Sequence, residues 1–142
     1  GAMVSGAPTE VKETLTVFGD KIGIAFQLAD DVIDIASESH ESGKTPGTDL
    51  REGIPTLVTL NVMNSTASKD RALIKLLKAP IKDEAVVAQV LKELRTHDAI
   101  AQSRAQLLDI ARDARTALGP LPVNDVTGAL FSLCDAIIDR SA

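Results

Sequence analysis

Gln27, Asp30, Asp31 and Asp34 fall close together in a segment whose apolar residues recur at helical spacing. At about 100° per residue, these four side chains together with Asp20 and Gly23 share one stripe about 100° wide. Ile24, Ala25, Phe26, Leu28, Ala29, Val32, Ile33 and Ala36 fill the remaining arc, so the pattern predicts a helix buried on every side except this acidic strip. Desolvating an unpartnered carboxylate costs several kcal/mol, so something positive must face the strip. Lys21 lies on the apolar side of the wheel and Lys44 follows in a loop, which leaves a divalent cation as the better counter-charge. Asp30 and Asp34, at i and i+4, would stand about 6 Å apart. Mg²⁺ retains waters and takes one or two carboxylates plus phosphate oxygens, so the strip predicts a phosphate-bearing ligand. The alternative is a solvated helix face, on which the same acids would do nothing. An EF-hand is excluded, because the acids sit on continuous helix without the glycine-centred loop.

The charge distribution points to the same place. Residues 27–52 hold Asp30, Asp31, Asp34, Glu38, Glu41, Asp49 and Glu52 against Lys44 and Arg51, which accounts for the whole net charge of −5. That sign, with no Trp or Tyr and only 3 Phe, argues against a nucleic-acid partner. At 142 residues and 44% hydrophobic content the chain suffices for one globular domain. No apolar run is long enough for a transmembrane helix and no secretory signal is recognisable. The single Cys134 is expected to be a buried thiol, in keeping with a cytoplasmic location. His40 and His97 are isolated from each other and from any Ser or Cys arrangement, and both read as structural or exposed.

The elements that must carry these residues read as helices throughout, giving an all-α antiparallel bundle. One long helix is expected from Pro8 to Ala36, then a polar loop from Glu38 to Ile54, and a helix restarting at Pro55-Thr56 through Met63. Ser65 and Thr66 are candidate N-caps for a short helix over Lys69–Lys78. Further helices are expected over Asp83–Arg95, from His97 or Asp98 to Leu118 with Gly119 as a left-handed stop, and over Val123–Arg140. Residues 1–3 read as the remnant of an expression tag, and residues 4–142 as native sequence.

Two segments resemble a known family. Gly23–Asp34 is similar to the second aspartate-rich region, G-x-x-F-Q-x-x-D-D-x-x-D, of the trans-polyprenyl diphosphate synthases. Gly43–Gly53, followed by Thr56-Leu57, looks like the G-K-x-x-G-x-D-L-x-x-G…T-L segment that follows it there. The resemblance implies an isoprenoid-synthase fold whose aspartate-rich helices bind Mg²⁺ and, through it, the diphosphate of an allylic prenyl substrate. Diphosphate leaves, isopentenyl diphosphate attacks the allylic cation, and loss of a proton gives a longer prenyl chain. Carried over by motif, Asp30 would be a direct Mg²⁺ ligand, Asp34 and Asp49 would support the metal or its waters, and Asp31 would orient the cluster. Gln27 and Lys44 would be the catalytic contacts to the allylic diphosphate.

Departures from the family pattern are equally informative. Ile54 stands where many relatives carry a further lysine, and no first aspartate-rich motif or basic isopentenyl diphosphate site is present. Residues 4–142 are therefore expected to be the C-terminal helical part of a synthase whose N-terminal part is absent, inactive alone. The parent would be a homodimer, and the exposed apolar girdle could drive self-association. The competing reading is a non-catalytic helical subunit or interaction module of a two-component prenyl synthase.

Overall fold

A computed structural model describes residues 1–36 and 45–141. The described residues form helices α1 (Thr9–Ala36), α2 (Thr48–Glu52), α3 (Leu57–Met63), α4 (Arg71–Leu76), α5 (Glu84–Arg95), α6 (Asp98–Ala117) and α7 (Asp125–Ser141), with a 3-10 turn over Ser68–Asp70. No strand occurs among them, as the helical periodicity predicts. Lys44 and His40 lie outside the described residues.

The chain folds as two compact units. The first comprises Gly1–Ala29 and Gln106–Ala142. Within it, Phe18 packs with Ala114, Leu118 and Cys134, and Ala25 and Ala29 pack with Leu107, Ala111 and Ile137. As α1 advances from Phe18 to Ala29, its partners on α6 and the residue just past it run backwards from Leu118 to Leu107 while those on α7 run forwards. α6 is thus antiparallel to α1, and α7 parallel to it. Alanine at four of these contacts lets the backbones approach closely. At the rim, Lys21 pairs with Asp113 at 2.9 Å. Arg115 pairs with Asp135 at 2.9 Å and lies 4.8 Å over the Phe131 ring.

The second unit, Asp30–Ala105, is built on an aliphatic core of Val32, Ile35, Leu50, Val58, Val62, Leu73, Ile81, Val87, Val90, Leu91, Leu94, Ala99 and Ile100. Each fully buried Leu or Val contributes about 1.5–3 kcal/mol relative to exposure. Local chemistry sets the helix ends. Thr56 and Thr59 form a reciprocal capping box that starts α3 after Pro55. The Asp83 carboxylate accepts from Ala85 and Val86 N–H at the start of α5. The last turn of α1 has no basic residue of its own, and Arg95 Nε donates to the Ile35 carbonyl there at 2.9 Å.

Four expectations need correction. The polar loop after α1 contains a short helix, α2, because Gly47 and Gly53 adopt left-handed conformations at its two ends. Ser65 does not cap a helix: its hydroxyl donates to Asp70 and accepts the Ala67 N–H, and the 3-10 turn starts without a side-chain cap. Gly119 is not left-handed, since α6 ends through tight turns in which Leu118 N–H donates to Arg115 O and Gly119 N–H to Thr116 O. Finally, α1 is not buried around its acidic strip, for Ile24 and Phe26 are about half exposed in this chain.

Candidate functional site

A backbone hydrogen bond ties the acidic strip of α1 to the following motif. Gly47 N–H donates to Asp34 Oδ2 at 3.1 Å, so the two sequence motifs, separated by undescribed residues, come together in space. Pro46 and Gly47 are buried, and Gly47 has φ +83°. A Cβ at Gly47 would meet Val87 Cγ1 at 3.0 Å and Leu91 Cδ1 at 3.1 Å. Both the backbone conformation and the close approach to α5 therefore require glycine.

Two turns of chain fix the carboxylate that follows. α2 ends at Gly53, φ +71°, whose N–H returns to the Asp49 carbonyl, and a Cβ there would strike Pro80. The Leu50 carbonyl accepts Ile81 N–H at 2.9 Å and the Arg51 carbonyl accepts Lys82 Nζ at 2.8 Å. Asp49 is held half-buried beside a shallow surface depression lined also by Leu50, Ile54, Thr59, Leu77 and Ile81. Burial pushes the Asp49 carboxyl above the usual carboxylate range, and the negative charges of Asp34, Asp31 and Glu52 push it further.

This crowding tests the fit of a cation. Asp30, Asp31 and Asp34 are half-buried on α1, and Asp49 feels the charge of two of them. A divalent ion of hard, oxygen-seeking character would relieve that repulsion, so the donor set suits Mg²⁺ or Ca²⁺. Among the described residues no group of three or more His, Cys, Asp or Glu is gathered closely enough to hold a metal alone. Waters and phosphate oxygens would have to complete the shell. Gln27 is exposed on α1, one turn before the acids, and Asp20 is exposed as well.

Sequence reasoning missed the framework around Arg51. Its guanidinium reaches Glu84 through Nε at 2.8 Å and Nη2 at 2.7 Å, while Nη1 donates to Pro46 O at 2.8 Å. Only the long separation hid this pair, because both residues read as ordinary surface charges. The view of His97 as isolated also needs correction. His97 Nε2 lies 3.3 Å from Asp70 Oδ1, Nδ1 accepts the Ala99 N–H at 3.0 Å, and Asp70 in turn accepts the Ser65 hydroxyl. Asp70 stands between Ser65 and His97, so the histidine cannot activate the serine as a base would, and the trio is a structural lock.

The family pattern described as polyprenyl synthetase matches residues 1–94. The chain belongs to the polyprenyl synthetase family. It is 44% identical over 142 residues to the nonaprenyl diphosphate synthase of Mycobacterium tuberculosis, covering 99% of this chain and 42% of that protein. It is 33% identical over 133 residues to component 2 of the heptaprenyl diphosphate synthase of Geobacillus stearothermophilus, covering 94% of this chain and 41% of that one. The geranylgeranyl pyrophosphate synthase of Corynebacterium glutamicum, solved in complex with calcium and isoprenyl diphosphate, superposes with a TM-score of 0.89 at 34% identity. That match covers 99% of this chain and 44% of the other. This polyprenyl synthetase chain thus spans less than half the length of the relatives it matches. Its all-α architecture is that of an isoprenyl synthase.

Proposed function

We propose that residues 4–142 form the C-terminal helical part of a Mg²⁺-dependent polyprenyl diphosphate synthase, which joins isopentenyl diphosphate to an allylic prenyl diphosphate and releases diphosphate. The observation that carries this reading is the Gly47 N–H bond to Asp34, which brings the second motif against the acids of the first. Asp30 and Asp34 would hold the metal with Asp49 beside them, and Asp31 would orient the group. Gln27 and Lys44 would contact the allylic diphosphate. Bound Mg²⁺ would supply charge neutralisation to the leaving diphosphate. The protein's share is to space Asp30, Asp31 and Asp34 along one helix and to hold the Gly47 peptide against Asp34 from the α5 side.

The location is read as cytoplasmic: no described helix is long and apolar enough to cross a membrane, and Cys134 is a free, buried thiol. The whole synthase is read as a homodimer. A calorimetric titration with pyrophosphate tests the site, because binding should require Mg²⁺ and should weaken at least about tenfold in Asp30→Asn or Asp34→Asn. Pyrophosphate uptake without Mg²⁺, or unchanged uptake by both variants, would refute it. Incubated alone with isopentenyl and allylic diphosphates, the chain is expected to form no product.

A second reading, as a non-catalytic subunit of a two-component synthase, is favoured by the exposed Val17, Ile24 and Phe26 of α1. In that case an added helical partner, and not Mg²⁺ with pyrophosphate, would protect the helix.

A further inference from the structure

We propose that Arg51 and Glu84 are positioning residues that aim the Asp34 carboxylate by fixing the Pro46–Gly47 peptide group. The inference rests on the reading of Asp34 as a metal-binding acid. The carbonyl of Pro46 and the N–H of Gly47 belong to one planar peptide unit, so orienting one end orients the other. Arg51 Nη1 holds the carbonyl end at 2.8 Å, and the N–H end donates to Asp34 Oδ2 at 3.1 Å.

The guanidinium is itself fixed. Glu84 takes Nε and Nη2 at 2.8 and 2.7 Å, a two-point contact that sets the plane of the fork as well as its place. Glu84 stands in the first turn of α5, whose start is set by the Asp83 cap. The same helix supports the opposite side of the peptide, where Gly47 backs onto Val87 and Leu91. One element thus clamps the peptide by packing and, through Arg51, by hydrogen bonding. The Glu84 side chain is 69% exposed, so the pair adds little to stability as an ion pair, and its value lies in direction.

Simple electrostatics and positioning predict opposite signs, which makes the proposal testable. Arg51 is a positive charge within the field of Asp34. If charge alone mattered, Arg51→Gln would remove a repulsive cation and tighten divalent-ion binding. If Arg51 positions Asp34, the same change weakens it, by about tenfold in the manner of outer-sphere partners at metal sites. The experiment is an electron paramagnetic resonance titration of the whole chain with Mn²⁺ alone, for wild type, Arg51→Gln, Glu84→Gln and Glu84→Ala. Amide spectra of each variant establish folding and report the Gly47 signal.

The expected order of affinity is wild type, then Glu84→Gln, which keeps one acceptor, then Glu84→Ala and Arg51→Gln, with the Gly47 amide displaced in the last two. Wild-type binding with equal or tighter binding by Arg51→Gln overturns the positioning role while leaving the metal site standing. A wild-type chain that takes up no Mn²⁺ overturns the reading beneath it and the proposal together. Should Arg51→Gln fail to fold, the Glu84 pair decides: equal affinity in Glu84→Ala and wild type contradicts the proposal.

Discussion

Gly47 donates its N–H to Asp34 Oδ2 at 3.1 Å while its α-carbon backs onto Val87 and Leu91 of α5. One residue therefore ties an acid near the end of α1 to α5 within the second unit, and no residue with a side chain can take its place without strain. Gly47→Ala should cost about 2–4 kcal/mol, combining the left-handed backbone penalty with overpacking against two aliphatic side chains. Urea unfolding would register this as a lower midpoint with an unchanged slope. A midpoint equal to wild type would mean that the segment is free to move away from α5.

Asp49 makes the opposite case, a residue whose charge burdens the metal-free fold. Burial and the charges of Asp34, Asp31 and Glu52 raise its pKa, so its ionised form opposes folding at neutral pH. Asp49→Asn should stabilise the chain, by no more than about 1 kcal/mol once solvent screening is allowed for. The same variant should bind Mg²⁺ with pyrophosphate less tightly. Thermal unfolding with and without the two ligands would reveal the crossover, and a variant less stable than wild type without ligand would contradict the account.

Acid stability should depend on Asp70. The Ser65 hydroxyl holds its carboxyl below the usual range despite burial, with smaller contributions from His97 and Lys69. A depressed folded pKa means that the unfolded chain binds the proton more tightly. The stabilisation is then complete above the ordinary aspartate range, about pH 4, and is lost as pH falls through the folded value. Asp70→Asn should therefore be less stable than wild type at pH 7, with the difference shrinking below about pH 4. Denaturation midpoints at several pH values would check it, and a difference that persists unchanged into acid would exclude this cause.

Val17 and Ile24, seven residues apart, share one face of α1 and are both about half exposed. The chain should self-associate at high concentration through this face. Sedimentation equilibrium should show a concentration-dependent dimer that Ile24→Lys weakens about tenfold or more, equivalent to about 1.4 kcal/mol. A wild-type monomer at every concentration would count against it.

The legible part of this protein was its local periodicity. The long acidic helix, the helix starts near Thr56 and Asp83, the buried Cys134 and the α5 face of Val87, Val90, Leu91 and Leu94 all follow from spacing and residue type. What spacing does not carry is long-range pairing. Arg51 with Glu84, Arg95 with the Ile35 carbonyl, and His97 with Asp70 depend on tertiary approach, and each residue alone resembles an ordinary surface charge. The glycines show the same division. Gly47, Gly53 and Gly119 look alike in sequence, yet only the first two are left-handed, because α2 must turn tightly at both ends against α5 and Pro80. At the candidate site, Asp30, Asp31, Asp34 and Asp49 were recognisable by motif, whereas the peptide that ties Asp34 to the second motif was not.

The most direct measurement of the central claim is an amide-resolved magnetic resonance titration of this chain with Mg²⁺ and pyrophosphate together. The account predicts saturable shifts concentrated at Gln27, Asp30, Asp34, Lys44, Gly47 and Asp49, absent with pyrophosphate alone, smaller with Mg²⁺ alone and lost in Asp34→Asn. Shifts scattered over α6 and α7 with those six residues unmoved would contradict it.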